Sequence, residues 1–114
     1  MMRVVDRKTF LALPPWTAYC KGTQWEFNGI CFKGETIGND WYEHNPAWVE
    51  AEDSGQAFER LDDMLKNGAS FPMENSECRD GLYDDDAVFL IFERADLEVL
   101  RGCIEQALAP PEGK

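Results

Sequence analysis

Histidine occurs once in this sequence, at His44. A lone imidazole supports no His-based transition-metal site, and acid–base work at His44 needs an orienting carboxylate and a nucleophile within hydrogen-bond reach. Its neighbour Glu43 points to the opposite side in extended backbone, so His44 reads as a surface residue. The four cysteines, Cys20, Cys31, Cys78 and Cys103, form no C-x-x-C pair. Zinc-ribbon and thioredoxin-type motifs are thereby excluded. Neither G-x-x-x-x-G-K nor G-x-G-x-x-G is present, so no motif cradles a nucleotide phosphate. No segment approaches the ~20 apolar residues that span a bilayer. The N-terminal MMRVVDRKTFLALPPW lacks the uncharged apolar run of a signal peptide. These absences lead to the expectation of a cytoplasmic protein with reduced thiols, no cofactor, no metal and no membrane association.

Basic residues are also scarce. Eleven Lys and Arg stand against twenty-two Asp and Glu, giving a net charge of −11. The imbalance is uneven: residues 1–34 carry a net +3 and residues 35–114 a net −14. Binding to nucleic-acid phosphates rests on neutralisation by Lys and Arg, so direct nucleic-acid contact is disfavoured and a basic protein partner is favoured. The excess acid also serves solubility by itself.

What the chain does have is 44% apolar residues over 114 positions, enough for one core in a single domain over residues 1–108, with residues 109–114 as a flexible tail. Asp6 caps a short helix through RKTFLAL, stopped by Pro14-Pro15. WTAYCK reads as a strand, ended or bulged at Gly22. Asn28-Gly29 is a hairpin signal; a two-residue turn there pairs Phe27 with Ile30 and Trp25 with Phe32, placing all four in the core. Asp40–His44 is a further strand, limited by Pro46, and AWVEA a short extended piece. Asp53 or Ser54 caps a helix over Gly55–Lys66, with Phe58, Leu61 and Leu65 as its buried stripe and Asn67-Gly68 as its end. Asp80-Gly81 is a second hairpin candidate. The apolar run Ala87–Glu93 suits a central strand. A last helix over Asp96–Leu108 presents Leu97, Leu100, Ile104 and Leu108 on one side. The expected fold is α+β: a small antiparallel sheet of about four to five strands, two main helices packed on one face, and a short N-terminal helix.

Four features bear on function. Asp84-Asp85-Asp86, with Glu77 and Asp80, lacks the D-x-[DN]-x-[DN]-G spacing of a calcium loop and reads as a solvated turn. Cys78, beside Arg79, is the least inert thiol but more simply an exposed structural one. Trp16, Trp25, Trp41 and Trp48 crowd into 33 residues with Tyr19 and Tyr42. Of Trp41, Tyr42 and Trp48, two are expected to be partly exposed, because strand neighbours alternate faces. Residues 35–63 hold nine acids and one base. Carboxylates spread over strands, turns and a helix, with aromatic anchors among them, suit docking on a basic surface. The expectation is a small acidic non-catalytic binding protein; in its sharper form it is an antagonist — an inhibitor, immunity or phage-type protein — that occupies the nucleic-acid groove of a basic partner. Its expected contact residues are Trp41, Tyr42, Trp48, Glu50, Glu52, Asp53, Asp62 and Asp63. The alternative is a structural or assembly protein that self-associates through apolar strand faces, and a homodimer is expected from the two-sided apolar character of residues 87–93.

Overall fold

The computed structural model describes residues 1–23, 25–74 and 77–110. Elements follow in the order β1 (Arg3–Asp6), α1 (Arg7–Leu11), β2 (Ala18–Gly22), β3 (Phe27–Ile37), β4 (Asp40–His44), α2 (Ser54–Asn67), β5 (Glu77–Arg79), β6 (Val88–Phe92) and α3 (Arg94–Leu108). The strands form one sheet in the order β1-β6-β2-β3-β4-β5, each neighbouring pair antiparallel. The α+β class and the antiparallel sheet stand as expected, with six strands in place of four to five. The two additions are short edge strands. β1 occupies the segment ahead of the Asp6 cap, and β5 lies in the turn-rich stretch before Asp80.

The run at residues 88–92 is an internal strand, flanked by β1 and β2. Phe89 and Ile91 are buried on one face, whereas Val88, Leu90 and Phe92 are half-buried on the other. α1 seals the first face. The Asp6 carboxylate caps it by accepting from the Thr9 amide at 2.8 Å. Phe10 then drops onto the sheet, stacked on Phe89 at 4.0 Å between ring centroids and edge-on to Tyr19 and Trp41 at 4.7 and 5.0 Å. These four rings, none of them exposed, are the centre of the core.

The expected hairpin at Asn28-Gly29 does not form. Both residues lie inside β3, and the chain reverses ahead of them, where the Thr23 amide donates to the Glu26 carbonyl at 2.8 Å. Register runs Cys20 opposite Ile30 and then Gly22 opposite Phe27, so three steps on β3 match two on β2. Asn28-Gly29 supplies the extra residue of a bulge, another feature that loosens an extended strand. Gly22 is required here, because a Cβ at that position would lie 2.0 Å from the Glu26 carbonyl oxygen. The bulge keeps Phe27, Ile30 and Phe32 on one face, opposite Gly22, Cys20 and Ala18. The four do not enter the core together: Trp25 is 84% exposed, and Phe27, Ile30 and Phe32 are half-buried on the face opposite to the aromatic core, whereas Cys31, expected on the outer side, lies in that core opposite Tyr19.

The two longer helices do not pack together on one face. α3 meets β6, and only through its first half. α2 makes no extended contact with any strand. It is capped by Asp53, whose carboxylate accepts from the Gln56 amide at 2.7 Å, and closed by Gly68 in the left-handed conformation at φ 70°. Its flanking segments pair through the Val49–Met73 bridge, the Glu50 amide to the Pro72 carbonyl at 2.9 Å, and the Glu74 amide to the Trp48 carbonyl at 2.6 Å. Arg60 reaches back to the Glu50 carbonyl and lies 4.8 Å over the Phe71 ring. Residues 48–74 thus form an arm that packs on itself. Within it Ala57 is the buried residue of α2, while Phe58 and Leu65 of the expected buried stripe are exposed.

Candidate functional site

Beyond the end of α1, the same sheet face opens into a cleft of about 970 Å³. Tyr19 and Lys21 of β2, Cys31 of β3 and Glu43 of β4 form its floor, side by side because antiparallel partners share a face. Thr23, Glu26, Asn28 and Gly29 line one wall and residues 79–87 the other.

A buried carboxylate holds the second wall in place. Asp40 is fully buried and accepts from Arg79 Nε at 3.1 Å and from the Gly81 amide at 3.1 Å. Gly81 sits at φ 70°, a conformation open to glycine, which lets its amide turn inward. Burial pushes Asp40 upward, but hydrogen bonds from the Trp41 and Gly81 amides and the Arg79 guanidinium outweigh it, and the carboxyl titrates below its ordinary value. Arg79 also donates to the Tyr83 hydroxyl at 3.0 Å. Opposite, Lys21 is clamped by Asp80 at 2.9 Å and Asp84 at 3.2 Å, with its ammonium 5.5 Å over the Trp41 ring.

At the floor, the Tyr19 hydroxyl accepts from Trp41 Nε1 at 2.9 Å and donates to Glu43 Oε1 at 3.3 Å. Burial and the neighbouring Asp80 charge raise the Glu43 carboxyl above its ordinary value. Burial and Glu43 likewise push the Tyr19 phenol up. The Cys31 thiol is pushed up to about 12 by burial and by Glu43, and donates to Asn45 Oδ1 at 3.3 Å. Cys78, across from Glu43 on β5, is raised by burial and the same carboxylate. Every shifted group on this floor is driven toward its neutral form, whereas a nucleophilic thiol requires the reverse.

The cleft lining holds six carboxylates, Glu26, Glu43, Asp80, Asp84, Asp85 and Asp86, against two cations, Lys21 and Arg79. Both cations are already engaged, by Asp80 and Asp84 and by Asp40. Glu26, Glu43, Asp85 and Asp86 have no cationic partner among the described residues. Within that same set, no three His, Cys, Asp or Glu side chains converge as metal ligands.

The expected contact residues divide. Trp41 is fully buried and belongs to the core, so its ring is withdrawn from any partner. Tyr42 is half-buried on β4, opposite Arg79. The arm carries the other six. Trp48 is 47% exposed. Glu50, Glu52, Asp53 and Asp62 are exposed and Asp63 is half-buried. Asp53 is committed to the helix cap, Asp62 pairs with Lys66 at 3.1 Å, and Asp63 accepts from Asn67 at 2.7 Å. His44 gains a carboxylate that adjacency in sequence does not offer: Glu77, its partner on β5, lies 3.2 Å from Nε2, and the Trp16 ring stacks on the imidazole at 4.5 Å.

Lys21, Glu26 and Glu43 were not singled out from the sequence. The available signal was Lys21 beside a strand-ending glycine, an isolated cation ahead of a long acidic stretch. Its pairing with Asp80 spans 59 positions and depends on the chain's return through β6. No protein-family model, curated protein or solved structure matches this chain.

Proposed function

We propose that this protein is a small acidic non-catalytic binding protein, and that the sheet cleft receives basic side chains of a protein partner. The observation that carries this reading is the charge of the cleft: four carboxylates without a cationic partner among the described residues, three of them, Glu26, Asp85 and Asp86, exposed, around a floor that is buried at Tyr19 and Cys31 and half-buried at Lys21 and Glu43. A guanidinium or ammonium entering there meets preplaced acceptors in a partly desolvated site, where charge-assisted hydrogen bonds are strong. Lys21, held between Asp80 and Asp84, shows the cleft already accommodating one such cation. The arm adds a second acidic surface, with Trp48 as an exposed aromatic beside Glu50 and Glu52. The raised thiols and carboxyl support binding over nucleophilic chemistry.

In its sharper form, the partner's basic surface is itself a nucleic-acid groove, and the protein is an antagonist that fills it. Calorimetric titration with an arginine-rich peptide tests the general reading. Binding that weakens in the Asp85→Asn/Asp86→Asn variant and with rising salt supports it, and absence of binding at low salt refutes it. Once a partner is in hand, competition by duplex DNA or RNA tests the sharper form.

A further inference from the structure

Helix α3 has no buried residue. Leu97 and Leu100 are half-buried where its first half meets β6, yet every residue from Arg101 to Pro110 is exposed. The stripe does not stop there. At 3.6 residues per turn Ile104 and Leu108 continue the line of Leu97 and Leu100, and they are 59% and 79% exposed. Fifteen residues make a helix of about 22 Å, and its second half runs on past its contact with the sheet.

The surface of the whole chain shows the same deficit. A compact monomer of this mass exposes about 6,300 Å², and this chain exposes 8170 Å². Its radius of gyration is 16.3 Å, against about 13 Å for a compact chain of this length. The surplus of about 1,800 Å² exceeds the ~800 Å² that one partner gives to a standard interface.

Charge selects the occupant. Two copies of a chain at −11 repel unless they meet where the charge is balanced. The second half of α3 is such a place: from Arg101 to Leu108 it holds one Arg and one Glu, paired with each other at 3.9 Å. A basic partner finds little to attract it there. We infer that a second copy of this chain covers the α3 stripe, the two helices crossing antiparallel about a two-fold axis so that Ile104 of each packs near Leu100 of the other. This arrangement is isologous and closes at a dimer. It also brings the two exposed Cys103 residues, which flank the stripe, to neighbouring positions across the axis.

Sedimentation velocity from low to high micromolar concentration, together with cross-linking, tests the inference. The expected result is a concentration-dependent dimer that becomes monomeric in Ile104→Asp/Leu108→Asp. Far-UV circular dichroism confirms that this variant is folded. In a Cys78→Ser background, a short bis-maleimide is expected to give a covalent dimer through Cys103, lost on Cys103→Ser. A monomer at all concentrations that yields no cross-link overturns the inference. So does a dimer that survives the Ile104→Asp/Leu108→Asp change. A monomeric chain in which those changes abolish binding to an arginine-rich peptide would assign the stripe to a basic partner instead, and equally overturns it.

Discussion

The indole Nε1–H of Trp41 donates to the Tyr19 hydroxyl at 2.9 Å, and neither side chain has any exposed surface. This bond joins the aromatic core to the cleft, because the same hydroxyl donates to Glu43. Tyr19→Phe keeps the ring and its edge contacts with Phe10 but orphans the Trp41 donor. The expected cost is about 1–2 kcal/mol in urea unfolding, since a buried donor left unpaired bears its desolvation penalty without a compensating bond. A variant as stable as the parent would show that Trp41 finds another acceptor.

Two carboxylates should shape the acid stability profile in opposite senses. Glu43 is raised above its ordinary 4.5 in the folded state. Its favourable contribution is therefore complete below the unfolded value and is lost as pH rises through the folded one. From neutrality down to about pH 4.5, lowering the pH should raise the Glu43 contribution to stability, and Glu43→Gln should remove that rise. Asp40 is lowered below its ordinary 3.8. Its contribution is present above that value and lost as pH falls through the folded one. Asp40→Asn should flatten the acid limb below about pH 4 and cost about 2 kcal/mol at neutral pH, because the Arg79 guanidinium loses its charged partner. Thermal melts of the three proteins across pH check both senses at once.

Phe58 tests the placement of the arm. As a core residue its truncation would cost about 3–5 kcal/mol. At 66% exposure on a helix that makes no extended contact with any strand, Phe58→Ser is expected to change stability by no more than about 0.5 kcal/mol. A large loss would mean that α2 packs its stripe in solution.

Where the sequence was legible, one local cause decided the outcome. Asp6 caps α1 as read, Asp53 rather than Ser54 caps α2, Gly68 ends α2, and the residues 40–44 strand has the expected bounds. The internal position of residues 88–92 followed from their two-sided apolarity. Where it was not legible, two causes competed or the cause was remote. Asn-Gly serves a bulge as well as a turn, and the close approach of Gly22 to Glu26 settled which. A 3.6-residue stripe shows that a helix has an apolar side, not that the chain itself covers it; α2 and the end of α3 keep theirs exposed. The cleft was hidden because Lys21, Glu43 and Asp80 are brought together by strand order rather than by spacing.

Gly22→Ala follows from the same close approach. The added methyl overlaps the Glu26 carbonyl, and backbone rather than a flexible side chain must yield. Overpacking of that kind costs about 1–3 kcal/mol. Because Gly22, Thr23 and Glu26 themselves line the cleft, peptide affinity should fall along with the melting temperature, unlike in Phe58→Ser, where neither should move.

Binding kinetics separate the cleft from the arm. Asp62→Asn/Asp63→Asn removes charge from α2 without touching the cleft, and the two carboxylates interact only within their own helix. If they steer a basic partner, association slows while dissociation holds. The difference from the parent then shrinks with added salt, because steering is screened beyond ~8 Å at physiological ionic strength. Asp85→Asn/Asp86→Asn should act on both rates, because these groups line the cleft itself. Trp48→Ala should act on dissociation alone, at about 2 kcal/mol if the indole is buried in the complex. Trp41→Ala is uninformative here, since loss of a fully buried core ring unfolds before it unbinds. Surface plasmon resonance at two salt concentrations reads all three variants. Salt-independent association for every carboxylate variant, with loss only at Trp48, would reduce the interaction to an apolar contact and remove the acidic cleft from it.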